Sequence, residues 1–165
     1  MILREEIARD RDSIRRVHEA AFSGADEARL VDELREEGAF LCSMVAEIDG
    51  AVAGHILFTR MWIDCEGGAI PAVALAPMSV VPEYQRRGIG GQLIRAGLGR
   101  LRNLRERIVL VLGHEHYYPR FGFSAEKARN IASPFPPEAF MALELAPGAI
   151  DDVVGRVSYA RAFGL

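Results

Sequence analysis

The spacing of apolar positions along this chain changes several times, and each change marks an element. Residues 13–22 bring Ile14, Val17, His18, Ala21 and Phe22 onto one face at helical spacing. Asp10 or Asp12 stands where a cap for that helix belongs. Residues 26–37 repeat the helical period with Leu30, Val31 and Leu34 inward, and Gly38 supplies the stop. Strand-like runs follow. "FLCSMVAEI" and "AVAGHILFTRMWI" flank Asp49-Gly50, a two-residue hairpin signal. "CEGGAI" then turns the chain into "PAVALAPMSVV", which predicts a three-stranded antiparallel meander. Pro77 removes a ladder donor from the third strand, so that strand is either an edge or bulged and splayed from a neighbour.

Helical spacing returns at Ile89, Leu93, Ile94, Gly97, Leu98 and Leu101. The next run, "RIVLVLG", is continuously apolar, as a strand covered on both faces should be. Strand, helix and buried strand together read as a right-handed βαβ unit. Further strands are expected near Glu126–Ile131 and Ala139–Leu145, around the proline-rich "SPFPPE". The expected fold class is α+β in mixed α/β/α layers: antiparallel N-terminal strands joined to a central parallel βαβ unit, as a single domain over residues 1–165.

Composition narrows the functional classes. The chain has 165 residues, half of them hydrophobic (50%) and 26% charged, enough to bury a core without staples. A net charge of −3 argues against bulk nucleic-acid binding. The two cysteines, Cys42 and Cys65, read as free thiols of a reducing compartment rather than a disulfide scaffold. "MILREEIARDRD" is charged from its fourth residue and lacks the apolar core of a signal peptide. The longest apolar run, Ala69 to Val81, holds two prolines and is too short for a bilayer. The expectation is a cytoplasmic protein that engages neither nucleic acid nor membrane.

The chemistry concentrates at the strand-to-helix junction "VVPEYQRRGIGGQL". Glycines there uncover backbone N–H groups, and the first turn of a helix carries unpaired donors and partial positive charge. Arg86 and Arg87 add forked donors, so the junction suits a phosphate. Gly88 and Gly90 begin a dinucleotide fingerprint, but its third glycine position is Leu93. A triphosphate loop would end in Gly-Lys-Ser/Thr, which is absent.

"Gln85-Arg86-Arg87-Gly88-Ile89-Gly90" resembles the Q/R-x-x-G-x-G/A signature of the GNAT superfamily of N-acetyltransferases. "YYPRFGF" is similar to that family's Tyr-x-x-x-Gly-Phe segment, and the ends "FMALEL" and "GRVSYARAF" resemble a YhbS-like branch. The resemblance covers nearly the whole chain. It implies acetyl-CoA as cosubstrate, with its pyrophosphate wrapped by Gln85, Arg86, Arg87, Gly88, Ile89, Gly90 and Gly91. It implies that Met78, Ser79 and Val80 pair edge-on with the pantetheine arm, and that an N–H near Met78 donates to the oxyanion. The implied reaction is direct acetyl transfer to a small-molecule or peptide amine, without a metal.

Such a reaction needs an acid for the departing thiolate. A tyrosine, with a reference pKa of about 10, is protonated at neutral pH and can donate. Tyr118, four residues before Gly122, stands at the family's acid position, and Tyr117 is its neighbour and competitor. The base is open. His114, Glu115 and His116 follow the buried strand, where parallel strands open onto sites, but they read equally as solvated loop. Glu47 and Asp64 are further carboxylate candidates, and His55 reads as a structural strand residue. Two histidines without further ligands make a weak metal site. The family's CoA-contacting helical asparagine has no counterpart here, since Val111 or Leu112 occupies its region. The alternative to an enzyme is a CoA-binding regulatory module that transfers nothing. A homodimer through edge strands or the C-terminal segment is compatible with the sequence, which does not count subunits.

Overall fold

A computed structural model describes residues 1–165. The strands are β1 (Ile2–Glu5), β2 (Phe40–Ile48), β3 (Ala51–Cys65), β4 (Gly68–Val80), β5 (Ile108–Leu112), β6 (Ile131–Ala132), β7 (Phe140–Glu144) and β8 (Gly155–Ser158). The helices are α1 (Arg11–Phe22), α2 (Asp26–Glu37) and α3 (Ile89–Asn103). The strands form one mixed sheet in the order β1-β2-β3-β4-β5-β7, with β8 pairing the far end of β3 and carrying β6. The expected α+β class and mixed sheet are therefore present.

Period-two alternation decides which face each helix covers. On β3, Ile56 and Phe58 join Leu93, Ile94, Leu98 and Leu101 of α3 in the largest apolar cluster. Leu57, between them, faces the other way and joins Ile14 of α1 with Val31 and Leu34 of α2. The two faces thus differ in role. One holds α3 and its glycine-rich start; the other holds α1 and α2.

The hairpin at Asp49-Gly50 forms as the dipeptide predicts. Both residues have positive φ, 50° and 79°, as a type I′ turn requires. The cap reading needs correction. Asp10 stands at the N-cap of α1, but its buried carboxylate accepts from Ile7 N–H at 2.7 Å and from the Arg4 guanidinium at 2.7 and 3.0 Å. Those contacts, Arg4 first, hold its pKa below the ordinary carboxylate value. Residues 126–130 form turns rather than a strand, with Arg129 N–H bonded to Glu126 O and Ile131 N–H to Ala128 O; only Ile131–Ala132 pair. The short strands β1 and β8 carry too little alternation to stand out from sequence.

The strand containing Pro77 is bulged. Phe58 pairs with Leu75, yet Ile56 pairs with Met78, so β4 spends an extra residue opposite Leu57. Parallel pairing of β4 with β5 covers only Val73–Val109 and Ala74–Leu110. Beyond Ala74 the two strands part, and β4 runs on to Val80 with no strand ladder on its β5 side.

Close approach of α3 to the sheet fixes where its first turn lies. A Cβ at Gly97 would overlap Cε2 of the fully buried Phe58 ring. Gly97→Ala is therefore expected to destabilise the fold by about 1–3 kcal/mol, the usual cost of overpacking. Urea unfolding should show a lower midpoint at unchanged m; an unshifted midpoint would show that α3 can slide on the sheet.

Candidate active site

The glycine-arginine turn is built of unusual backbone. Arg86 takes φ 62° and Gly88 takes φ 81°, both in the left-handed region. Gln85 Nε2 donates to Val80 O at 2.9 Å, which ties the turn to the end of β4. Gln85 N–H bonds back to Pro82 O and Gln92 N–H opens the helical ladder on Gly88 O. Every N–H between them, from Arg86 to Gly91, donates to no protein acceptor, and no side chain caps the helix. The turn is a row of free donors at the positive end of α3.

These donors border a cavity of about 510 Å³. Met78, Ser79 and Val80 supply one wall, Gln85, Arg86 and Gly88 to Gly91 the foot, and Ala21 and Phe22 of α1 the far side. Tyr117 and Arg120 close it. Of the site residues expected from sequence, Arg87 and Tyr118 lie outside this lining. The Arg87 guanidinium lies 5.2 Å from the ring centre of Tyr84, itself a wall residue. Smallness matters at Gly90, where a Cβ would sit 3.1 Å from the Tyr117 hydroxyl oxygen and 3.5 Å from Met78 Cε.

The two tyrosines pack edge to face, 5.1 Å between ring centres. Tyr117 faces the cavity with Arg120 at 4.5 Å over its ring; burial raises its pKa, opposed by Arg120 and Arg95. Tyr118 packs on Phe123 and occupies the space a Cβ at Gly113 would need, just past the end of β5. Burial pushes its pKa up to about 12. Both hydroxyls are proton donors at neutral pH.

The base candidates scatter. His114, Glu115 and His116 are exposed, and His116 pairs only with Glu115, at 3.3 Å. Glu47 pairs with Arg4 at 2.9 Å and Asp64 sits opposite Arg156 on the far half of β3; neither lines the cavity. No three His, Cys, Asp or Glu side chains come together as a metal-binding group.

Residues 4–125 match the acetyltransferase (GNAT) domain family. The chain belongs to the GNAT acetyltransferases. It is 41% identical over 134 residues to the uncharacterized N-acetyltransferase YjhQ of Escherichia coli K12, covering 78% of this chain and 74% of YjhQ. It is 32% identical to the crystal structure of YhbS from Escherichia coli in complex with CoA, with a TM-score of 0.91 and coverage of 99% and 92%. A GNAT acetyltransferase from Brucella melitensis in complex with acetyl-CoA shares 39% identity, with a TM-score of 0.83 and coverage of 98% and 97%.

One feature of this GNAT chain went unread in the sequence. His18, on the apolar face of α1, and His55, on β3, are both fully buried and face each other, His18 Nε2 to His55 Nδ1 at 2.7 Å. His18 Nδ1 meets Ser79 Oγ at 2.9 Å, and His55 Nε2 meets Ser43 Oγ at 2.8 Å. The only signal was a histidine at an inward helical position, a place where buried polar groups need partners. Burial lowers His18 to about 4; burial, then the neighbouring His18 and Arg35, takes His55 well below its ordinary value.

A base with a depressed folded-state pKa destabilises the fold as pH falls, because the unfolded chain binds the proton first. Stability should be full above pH 6.5 and fall as pH drops towards 4, by about 3 kcal/mol from His18 alone. Urea midpoints measured across that window should fall steeply, and His18→Gln should flatten the fall. A flat wild-type profile would contradict burial of two neutral histidines.

Proposed function

We propose that this GNAT enzyme moves an acetyl group from acetyl-CoA to an amine by direct transfer. One observation carries the reading: the row of unbonded N–H groups from Arg86 to Gly91 lies at the foot of a cavity whose wall is the unladdered end of β4. A pyrophosphate matches such a row of donors. An extended amide-bearing arm matches a strand edge that has lost its neighbour. The cosubstrate supplies an activated thioester, and the chain's own groups do the rest. Arg86 and Arg87 add positive charge beside the turn. Met78, Ser79 and Val80 offer backbone for pairing, with an N–H near Met78 as the donor that polarises the carbonyl.

Tyr118 is the proposed acid. It stands at the family's position, against Gly113 just past the end of β5, and burial keeps its hydroxyl protonated. Tyr117 is the second reading, favoured by its place on the cavity wall. The acceptor is an amine on a small molecule or a peptide, approaching from the α1 side where Ala21 and Phe22 line the cavity.

Titration calorimetry should show acetyl-CoA binding in the micromolar range. Gly90→Asp should weaken it by about tenfold or more, because bulk and negative charge enter the row of donors. Unchanged affinity would leave the glycines as turn formers alone. With an amine panel monitored for CoA release, Tyr118→Phe should lower kcat about 100-fold at unchanged acetyl-CoA affinity. If Tyr117→Phe alone produces that loss, the acid is Tyr117. Acetyl-CoA binding with no turnover on any amine would make the protein a CoA-responsive regulator instead.

A further inference from the structure

The side chains of Ser79, His18, His55, Ser43 and Glu6 form one continuous hydrogen-bonded chain from the cavity to the protein rim. Its links measure 2.9 Å from Ser79 Oγ to His18 Nδ1, 2.7 Å from His18 Nε2 to His55 Nδ1, 2.8 Å from His55 Nε2 to Ser43 Oγ, and 2.6 Å from Ser43 Oγ to Glu6 Oε2. Strand register sets the chain up: His55 lies directly opposite Ser79 across β3 and β4, so both side chains share the α1 face. His18 reaches down from α1 between them, and Phe22, a cavity residue, stacks parallel on its ring. Ser79 lines the cavity, whereas the Glu6 side chain is 16% exposed and pairs with Arg35 at 3.0 Å.

Proton positions follow from the far end. A carboxylate only accepts, so Ser43 gives its single hydroxyl proton to Glu6. Ser43 Oγ then accepts from His55 Nε2–H. A neutral His55 has Nδ1 left as acceptor, so His18 donates from Nε2–H. His18 Nδ1 in turn accepts from Ser79 O–H. Burial keeps both rings neutral, so each offers one donor and one acceptor. Every donor points away from the cavity, and Ser79 Oγ keeps lone pairs to accept one more proton.

We infer that this chain is the base of the reaction, a relay that draws the proton from the acceptor amine; the inference rests on the acetyl-transfer reading of the site. As the neutral amine nitrogen bonds to the carbonyl carbon, its proton passes to Ser79 Oγ. The Ser79 proton passes to His18 Nδ1, the His18 Nε2 proton to His55 Nδ1, the His55 Nε2 proton to Ser43 Oγ, and the Ser43 proton to Glu6. The carbon–sulfur bond breaks and the thiolate takes its proton from the tyrosine hydroxyl. After the products leave, the reverse shift returns the proton from Glu6 to the tyrosinate through the cavity. Both histidines recover their starting tautomers, and the net change is one proton moved from nitrogen to sulfur. A structural pair would also need partners at both outer ring nitrogens; what points to a relay is that one end of the chain, Ser79, opens on the cavity and the other ends in the Glu6 carboxylate.

Two measurements test the relay. Nitrogen-15 NMR of the full chain without substrate should show His18 and His55 as neutral Nε2–H tautomers; an Nδ1–H tautomer at either ring overturns it. With an acetylated amine in hand, Ser79→Ala should lower kcat about 100-fold while calorimetric acetyl-CoA affinity stays within about twofold. Glu6→Gln should lower kcat as well, and the double variant should fall no further than Ser79→Ala, because both cut one chain. The wild-type solvent isotope effect on kcat should shrink in both variants. Wild-type kcat in Ser79→Ala, or independent multiplicative losses in the double variant, would overturn the relay while leaving acetyl transfer intact. Failure of the wild type to acetylate any amine would sink the reading of the site, and the relay as its base with it.

Discussion

The parting of β4 from β5 after Ala74 is the constraint on which the rest of the molecule depends. A parallel strand pair continued to Val80 would bury the backbone of Met78, Ser79 and Val80 in ladder bonds. The bulge opposite Leu57 re-aims β4, so its last residues stay paired to β3 on one side and free of β5 on the other. The glycine-rich turn then starts at the exposed end of that strand, and α3 is pressed onto the sheet by the contact of Gly97 with Phe58. Strand edge and helix start are thus two consequences of one irregularity. Neither would make a site without the other.

The bulge also sets the parity of β4. Met78 packs with the α3-side cluster, while Ser79 turns to α1 and meets His18. Alternate residues of one strand thus face different elements, although Met78 and Ser79 line the same cavity. Burial works differently on the two kinds of ring. On the tyrosines it favours the protonated phenol; on the histidines it favours the neutral ring. The same low-dielectric interior thereby holds the phenols protonated and the two histidines neutral.

Much of this was legible in the sequence because it was local. The Asp49-Gly50 hairpin, the helix at Asp26–Glu37, the bulge at Pro77 and the turn at Gln85–Gly91 each follow from short-range rules of φ, period and missing donors. The rest depended on long-range pairing. Asp10 looked like a helix cap but is held by Arg4 from β1, a strand too short to show a period. Ile131–Ala132 is a strand only because β8 lies beside it. His55 and His18 stand 37 residues apart, and nothing local announces that strand register brings Ser79 and Ser43 to their two ends. The Tyr-x-x-x-Gly-Phe spacing selects Tyr118, but only packing shows that Tyr117 is the one on the cavity wall and Tyr118 the one beneath Gly113.

In the proposed reaction one continuous surface, the free edge of Met78–Val80 and the open N–H groups of Arg86–Gly91, receives acetyl-CoA. Backbone hydrogen exchange with and without acetyl-CoA measures those amides directly. The N–H groups of Arg86–Gly91 should exchange fast in the free protein and slow together on binding, while the sheet interior at Ile56 to Phe58 stays unchanged. Acetyl-CoA binding that slows amides elsewhere, and leaves Arg86–Gly91 exchanging freely, would contradict it.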